Sequence, residues 1–397
     1  MPSFRAAQDW FRGHAEELSR WQMEAARIPA PPFGEAARAQ WLAQKFKEVG
    51  LEGVHLDEVG NVLGLRPGSA DGVISVSAHI DTVFPSDTPL NVHQHGAKFY
   101  GPGISDNAAG IAALLALTGA FRDCGLAHTA PILFIGNVGE EGEGDLRGIR
   151  RIFSDSPWQD KIAASVVIDG AGTDTIIADA LGSRRFEVVI KGPGGHSWTD
   201  FGAPSPIVAL ARAIAIFSET RVPITPKTTF NVGVISGGTS VNSIPESAAM
   251  RVDVRSSSRM ELERLEMELR RAVVQAIGEE EGRARNRAGT RNATELEAEI
   301  SVIGNRPTGE LSRSARILQL ARAIDSHLGN ASQIQRASTD ANIPISLGRE
   351  AVALGAGGRG GGAHTLQEWF DPEGRERGLQ RILLLVLALA GADGGNK

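Results

Sequence analysis

Three short apolar runs constrain this chain more than any other feature. "GVISVSAHID" (72–81), "APILFIGNVGEE" (130–141) and "ASVVIDGAG" (164–172) are rich in β-branched residues, and each gives way to polar or charged side chains. Between the first two lies "NAAGIAALLALTGAF", an alanine and leucine helix apolar on most sides and therefore expected to be buried. Ahead of them "AARAQWLAQKFKEVG" is amphipathic and stops at Gly50, a residue type that readily takes the left-handed conformation past a helix end. Apolar strands alternating with helices predict an α/β fold: a mixed, largely parallel sheet flanked by helices.

From about residue 183 the pattern changes. "RRFEVVIKGPG", "TTFNVGVISGG", "SAAMRVDVRSS" and "ELEAEISVIG" read as strands, with helices at "PIVALARAIAIFSE" and "MELERLEMELRRAVVQAIGEEE". The order β-α-β-β-α-β is that of an α+β, ferredoxin-like sandwich. It predicts a small domain, 183–307, inserted into a larger discontinuous one, 1–182 and 308–397. At 397 residues the chain accommodates both.

Composition narrows the function. A net charge of -6, with no block of Lys or Arg, argues against nucleic acid as a partner. The single cysteine, Cys124, rules out an internal disulfide and suits a reducing compartment. The N-terminal stretch lacks the apolar centre of a signal peptide, and "ILLLVLALAGA" is too short to span a membrane, so a cytoplasmic protein is expected.

Ligands of parallel sheets gather outside the carboxyl ends of the strands. His79 and Asp81 follow one run, Glu140 and Glu141 another, and Asp169 the third; Asp106 lies in the loop "GPGISDNAAG" and His364 ends the glycine-rich "GAGGRGGGAH". Taken singly, each has an ordinary reading: a core histidine, a helix N-cap or an exposed acidic loop. Together they would crowd carboxylates at one sheet edge, an expensive arrangement unless divalent cations turn the repulsion into coordination. Imidazoles and carboxylates suit zinc, manganese or cobalt better than calcium or magnesium. Of two adjacent glutamates, one can bind metal while the other moves a proton.

The motifs "SAHIDTVFP", "GPGISDNAAGIAALLAL", "GEEGEGD", "VIDGAG", "GPGGHSW", "GGTSVNSIPESAAMRVDVR" and "GGGAHTLQEW", in that order, resemble the co-catalytic metallopeptidase family of glutamate carboxypeptidase, peptidase T and the acetylornithine and succinyl-diaminopimelate deacylases. The resemblance implies that His79 and Asp169 bind one metal, Glu141 and His364 the other, and that Asp106 bridges them. It implies that Asp81 orients His79 and that Glu140 is the general base. It makes the inserted domain a lid and a homodimer surface, with His196 stabilising the oxyanion and Asn242 and Arg255 contacting substrate. His196 and Asn242 could instead occupy turns, and Arg255 could pair with Asp253 or Glu246.

The expected activity is exopeptidase cleavage of short peptides with two divalent ions, zinc first. Aspartate at 169 resembles the aminopeptidase and dipeptidase branches. The alternative is a deacylase of N-acyl amino acids. A binding protein without catalysis should lack the base or a ligand, and here all are present. A nucleotide-binding protein would need a glycine-rich turn where "HIDTV" stands.

Overall fold

The computed structural model describes residues 2–288 and 295–391, which divide into two compact units, Met1–Ala180 with Gly309–Lys397 and Leu181–Thr308. The first unit is built on a mixed sheet. Its spatial order is Glu52–Leu56, Val62–Arg66, Ile132–Asn137, Val73–His79, Ile162–Ile168, Glu350–Leu354, Thr175–Ala180 and Gly309–Glu310, with Gln333–Ala337 also pairing against Thr175–Ala180. The central strands Ile132–Asn137, Val73–His79, Ile162–Ile168 and Glu350–Leu354 are mutually parallel. The hairpin Glu52–Arg66 and the strand Thr175–Ala180 flank them antiparallel.

Both faces of this centre are covered, which is why its strands read as continuous apolar runs. Ile132 and Phe134 point into a core with Ile74, Val76, Leu114 and Leu117, whereas Leu133 and Ile135 pack on the other face with Ile149 and Ile152. The helix Ala108–Asp123 is almost wholly buried. Gly119 is required within it: an added Cβ would stand 2.6 Å from the Trp10 ring of the N-terminal helix Pro2–Gly13. Trp10 Nε1 donates to Asp123 at 2.9 Å, so the same ring is held by packing and by a polar tip.

A small sheet in the same unit pairs His93–His95 with Lys98–Tyr100, Lys98–Tyr100 with Trp369–Asp371, and Trp369–Asp371 with Arg359–Gly361. It brings the loop after Tyr100 beside the segment that leads from Gly361 to Trp369. Among the described residues no helix is long and apolar enough to cross a membrane.

The second unit is an antiparallel sheet in the order Thr228–Gly237, Ser247–Ser256, Gly182–Lys191, Glu297–Arg306, the ferredoxin-like arrangement. Period-two burial is plain: Phe186, Val188 and Ile190 share one core with Ala248, Met250, Val252 and Val254. The helices Pro206–Ser218 and Arg259–Ala288 meet that face through Leu210, Ala213, Phe217, Leu262, Leu265 and Leu269. Phe186 is fully buried on the strand paired on both edges. Phe186→Ala is therefore expected to cost about 3–5 kcal/mol in chemical denaturation followed on the second unit; a loss below about 1 kcal/mol would contradict this packing.

Candidate metal centre

The parallel strands end on one side, and the site grows from those ends. His79 closes Val73–His79, and Asp81, fully buried two residues on, lies 3.6 Å from its Nδ1. The Asp81 carboxylate also accepts the N–H of Glu140 at 3.0 Å and of Glu141 at 2.7 Å. The Asp81 main-chain carbonyl lies 3.2 Å from the same His79 Nδ1, and its carboxylate holds the loop that follows the neighbouring strand Ile132–Asn137. Gly139, at φ +67°, gives that loop its turn, and a Cβ there would meet Arg147 Cγ at 2.8 Å. Arg147 in turn donates to both carboxylate oxygens of the buried Glu35, at 2.8 and 2.7 Å.

Asp106 is the centre of the arrangement. Its Oδ1 lies 3.1 Å from His79 Nε2, and its Oδ2 lies 3.2 Å from His364 Nε2. Asp169, directly after Ile162–Ile168, stands 3.8 Å from His79 Nε2, and Glu141 Oε1 lies 2.9 Å from His364 Nε2. Donor atoms gather within 4.8 Å of one another in three sets: His79, Asp106 and Asp169; Asp106, Glu141 and His364; and His79, Glu140 and Glu141. The first two sets share Asp106, and their imidazole and carboxylate donors fit a pair of borderline divalent cations. His364 holds φ at +64°, a left-handed conformation that costs a non-glycine residue roughly 1–2 kcal/mol and is concentrated at functional sites.

The electrostatics call for positive charge here. Burial alone would lower the His79 pKa, but hydrogen bonds to Asp106, Asp169 and Asp81 outweigh it and hold the imidazole well above its ordinary range. Asp106 and then Glu141 push His364 up to about 10. Asp106 itself, despite burial, is held far below the usual carboxylate range by His364 and His79. The carboxylates around the two imidazoles therefore favour positive charge at this centre.

Beside Asp106 opens a cleft of about 670 Å³, walled by Gly170–Asp174 and by Gly358–Ala363. Its walls are largely main chain, and Gly360 permits the approach: a Cβ would lie 2.1 Å from Ser105 Oγ.

The remaining expected site residues lie in the second unit. His196 is exposed, on a two-residue strand paired with Ser243–Ile244. Its Nδ1 accepts backbone N–H groups of Trp198 at 3.2 Å and Thr199 at 3.4 Å, which places the proton of the neutral ring on Nε2. Asn242 is adjacent, its carbonyl accepting the N–H of Ser197 at 2.9 Å. Arg255 is elsewhere: it donates to Asp253 at 2.7 Å and sits eight residues along the strand from Ser247. That is about 26 Å of extended chain.

Sequence reasoning missed several supports. Asn107 caps the helix Ala108–Asp123, donates to the Ile168 carbonyl at 2.8 Å and accepts the Gly170 N–H at 3.1 Å, so it ties the Asp106 loop to the strand that delivers Asp169. Asn137 donates to Asp340 at 2.6 Å behind the site, where burial pushes Asp340 up to about 7. Arg38, also buried, donates to the Ile80 carbonyl at 2.9 Å. Glu368 accepts three backbone N–H groups of the loop before Asp106. Glu368 carried a signal as an acid inside the motif "GGGAHTLQEW", and Asn107 as an N-cap residue directly before the buried helix in "GPGISDNAAGIAALLAL".

Residues 75–388 match the profile of peptidase family M20/M25/M40. Succinyl-diaminopimelate desuccinylase of Pseudoalteromonas atlantica is 26% identical over 230 residues, which cover 53% of this chain and 60% of that protein. Among solved structures, a tripeptidase from Staphylococcus aureus superposes with a TM-score of 0.75 at 20% identity, covering 94% of this chain and 98% of the other. Aminopeptidase PepT from Bacillus cereus gives 0.72 at 21% identity, with the same coverage. At these identities the two structures establish the fold.

A proton held more tightly by His364 in the folded chain than in the unfolded one contributes stability that is complete below the ordinary imidazole pKa near 6.5 and is lost as pH rises toward about 10. Chelator-treated protein should therefore melt at progressively lower temperature between about pH 7.5 and pH 10. An added divalent cation, which requires neutral imidazoles, should reverse the trend. A chelated protein whose melting temperature is flat across this window would contradict the electrostatic reading.

Proposed function

The chain belongs to peptidase family M20/M25/M40, and on that premise we propose that it is a two-metal hydrolase that cleaves the amide bond of short peptides from one end. The observation that carries this reading is Asp106, whose two oxygens face two different imidazoles. A carboxylate so placed is the natural bridge of a dinuclear site, with His79 and Asp169 on one side and Glu141 and His364 on the other.

Two divalent cations, zinc first and manganese or cobalt as alternatives, would supply Lewis acidity and lower the pKa of the attacking water. The chain's own residues do the rest. Glu140, whose main-chain N–H is fixed by Asp81 and whose side chain lies with His79 and Glu141, accepts the proton of the water and delivers it to the leaving amine. Asp81 keeps the His79 ring in register. The cleft of glycine backbone beside Asp106 receives the extended peptide. His196, whose Nδ1 accepts backbone N–H groups, turns Nε2 outward as a donor suited to a developing oxyanion.

Asn242, just before the short strand Ser243–Ile244, and Arg255, on the strand Ser247–Ser256, complete the proposed substrate contacts. A homodimer would let one copy supply the His196–Asn242 corner and its partner supply Arg255 to the same short peptide. The edge strand Thr228–Gly237, with Val234 and Ile235 exposed, offers a surface for such a homodimer. Arg255 would then leave Asp253 for a substrate carboxylate through its planar fork. The inserted unit thus acts as lid and dimer surface in a cytoplasmic enzyme.

Exopeptidase action is favoured by aspartate at 169 and by the fold shared with a tripeptidase and an aminopeptidase. Deacylation of N-acyl amino acids is the second reading, supported by the relative that is a desuccinylase. A panel of di- and tripeptides against N-acetyl amino acids separates them: peptide cleavage abolished by chelation supports the first, and turnover of the acyl substrates alone supports the second. Glu140→Ala should keep its metal and lose at least ~100-fold in turnover, the usual scale for a general base. Near-normal turnover in that variant would remove Glu140 from the mechanism.

A further inference from the structure

Glu368 lies four residues beyond His364 and is fully buried. Three backbone N–H groups converge on its carboxylate: Gly103 on Oε2 at 2.8 Å, and Ser105 and Asp106 on Oε1 at 2.7 and 2.8 Å. Its carbonyl accepts the N–H of Gly101 at 3.0 Å. The loop from Gly101 to Asp106 is therefore wrapped around one side chain. Successive amides turned inward in this way form a cradle for an anion, and here the chain fills it with its own carboxylate. Gly101 at φ +145° and Gly103 at φ +73° let the backbone curl so tightly.

This placement is costly for a mere spacer. Burial takes the Glu368 carboxylate out of water, and the three backbone N–H groups are what compensate it. An apolar side chain of the same volume would leave those three N–H groups without their acceptor. What the carboxylate provides is direction: charge-assisted bonds to three consecutive parts of one loop, the last of them the N–H of Asp106 itself. On the other side Asn107 is fastened to Ile168 and Gly170. The bridging residue is thus clamped from both neighbours, and Glu368 joins it to the segment that carries His364.

We propose that Glu368 is the positioning residue for Asp106, setting the orientation in which one carboxylate serves two cations at once. The inference rests on the two-metal reading of the site. Removing the clamp should loosen the shared ligand and weaken uptake of the second cation, while the fold, held by the sheet and the buried helix, persists.

The test uses the full chain, stripped with chelator and titrated with Co²⁺, reading stoichiometry, stepwise affinity and the visible spectrum of the bound ion, with circular dichroism as the check on folding. Wild-type protein should take up two equivalents. Glu368→Gln keeps the shape but turns an amide NH₂ toward donors that need an acceptor. It should remain folded, bind the second equivalent at least about tenfold more weakly, the scale for supports of metal ligands, and show an altered spectrum. Glu368→Asp keeps the charge with a shorter reach and should fall between the two; it carries the test if the Gln variant does not fold. Variants that bind both equivalents with wild-type affinity and spectrum would overturn the positioning role alone. Wild-type protein that takes up fewer than two equivalents would overturn the two-metal reading and this inference together.

Discussion

Mutual repulsion among carboxylates is the constraint around which the first unit is organised. Asp81, Asp106, Glu140, Glu141 and Asp169 converge on the ends of parallel strands, and Asp81, Glu140 and Glu141 are buried. Left uncompensated, such a cluster would unfold the sheet edge that carries it. The chain answers in layers: imidazoles between the carboxylates, backbone N–H groups on Asp81 and Glu368, and Asn137 on Asp340. Each layer leaves the oxygens of Asp106 turned toward His79 and His364, within a group of donors that could hold a metal ion.

The supports link the strand ends to one another. Asp81 connects the first strand end to the second, Asn107 connects the loop of Asp106 to the third, and the small sheet sets the His364 segment beside Tyr100. Candidate ligands from distant parts of the chain are thus joined by hydrogen bonds outside the donor cluster itself. Such preorganisation is what a dinuclear site needs, since a displaced ligand is felt by both ions.

Much of this was legible in the sequence. The runs at 73–79, 132–137 and 162–168 end in the residues that meet at the centre, because strands buried on both faces read as unbroken apolar stretches and their ends stand out. The second unit was readable for a complementary reason: alternation at Phe186, Val188 and Ile190, and helical spacing at Leu262, Leu265 and Leu269, mark one-sided burial. The antiparallel hairpin Glu52–Arg66 was not visible, since its first strand is mostly exposed and carries little pattern. Asp340 and Arg38 were missed because a polar residue that satisfies a buried neighbour has no spacing of its own. Its role exists only once the chain has folded around it.

The most direct measurement is elemental analysis of the protein purified without chelator and then saturated with a divalent cation. Two ions per chain is the predicted result, because two donor sets share Asp106. A ratio of one or none after saturation would contradict the account at its centre, leaving the cluster as a scaffold whose charge is balanced by protons alone.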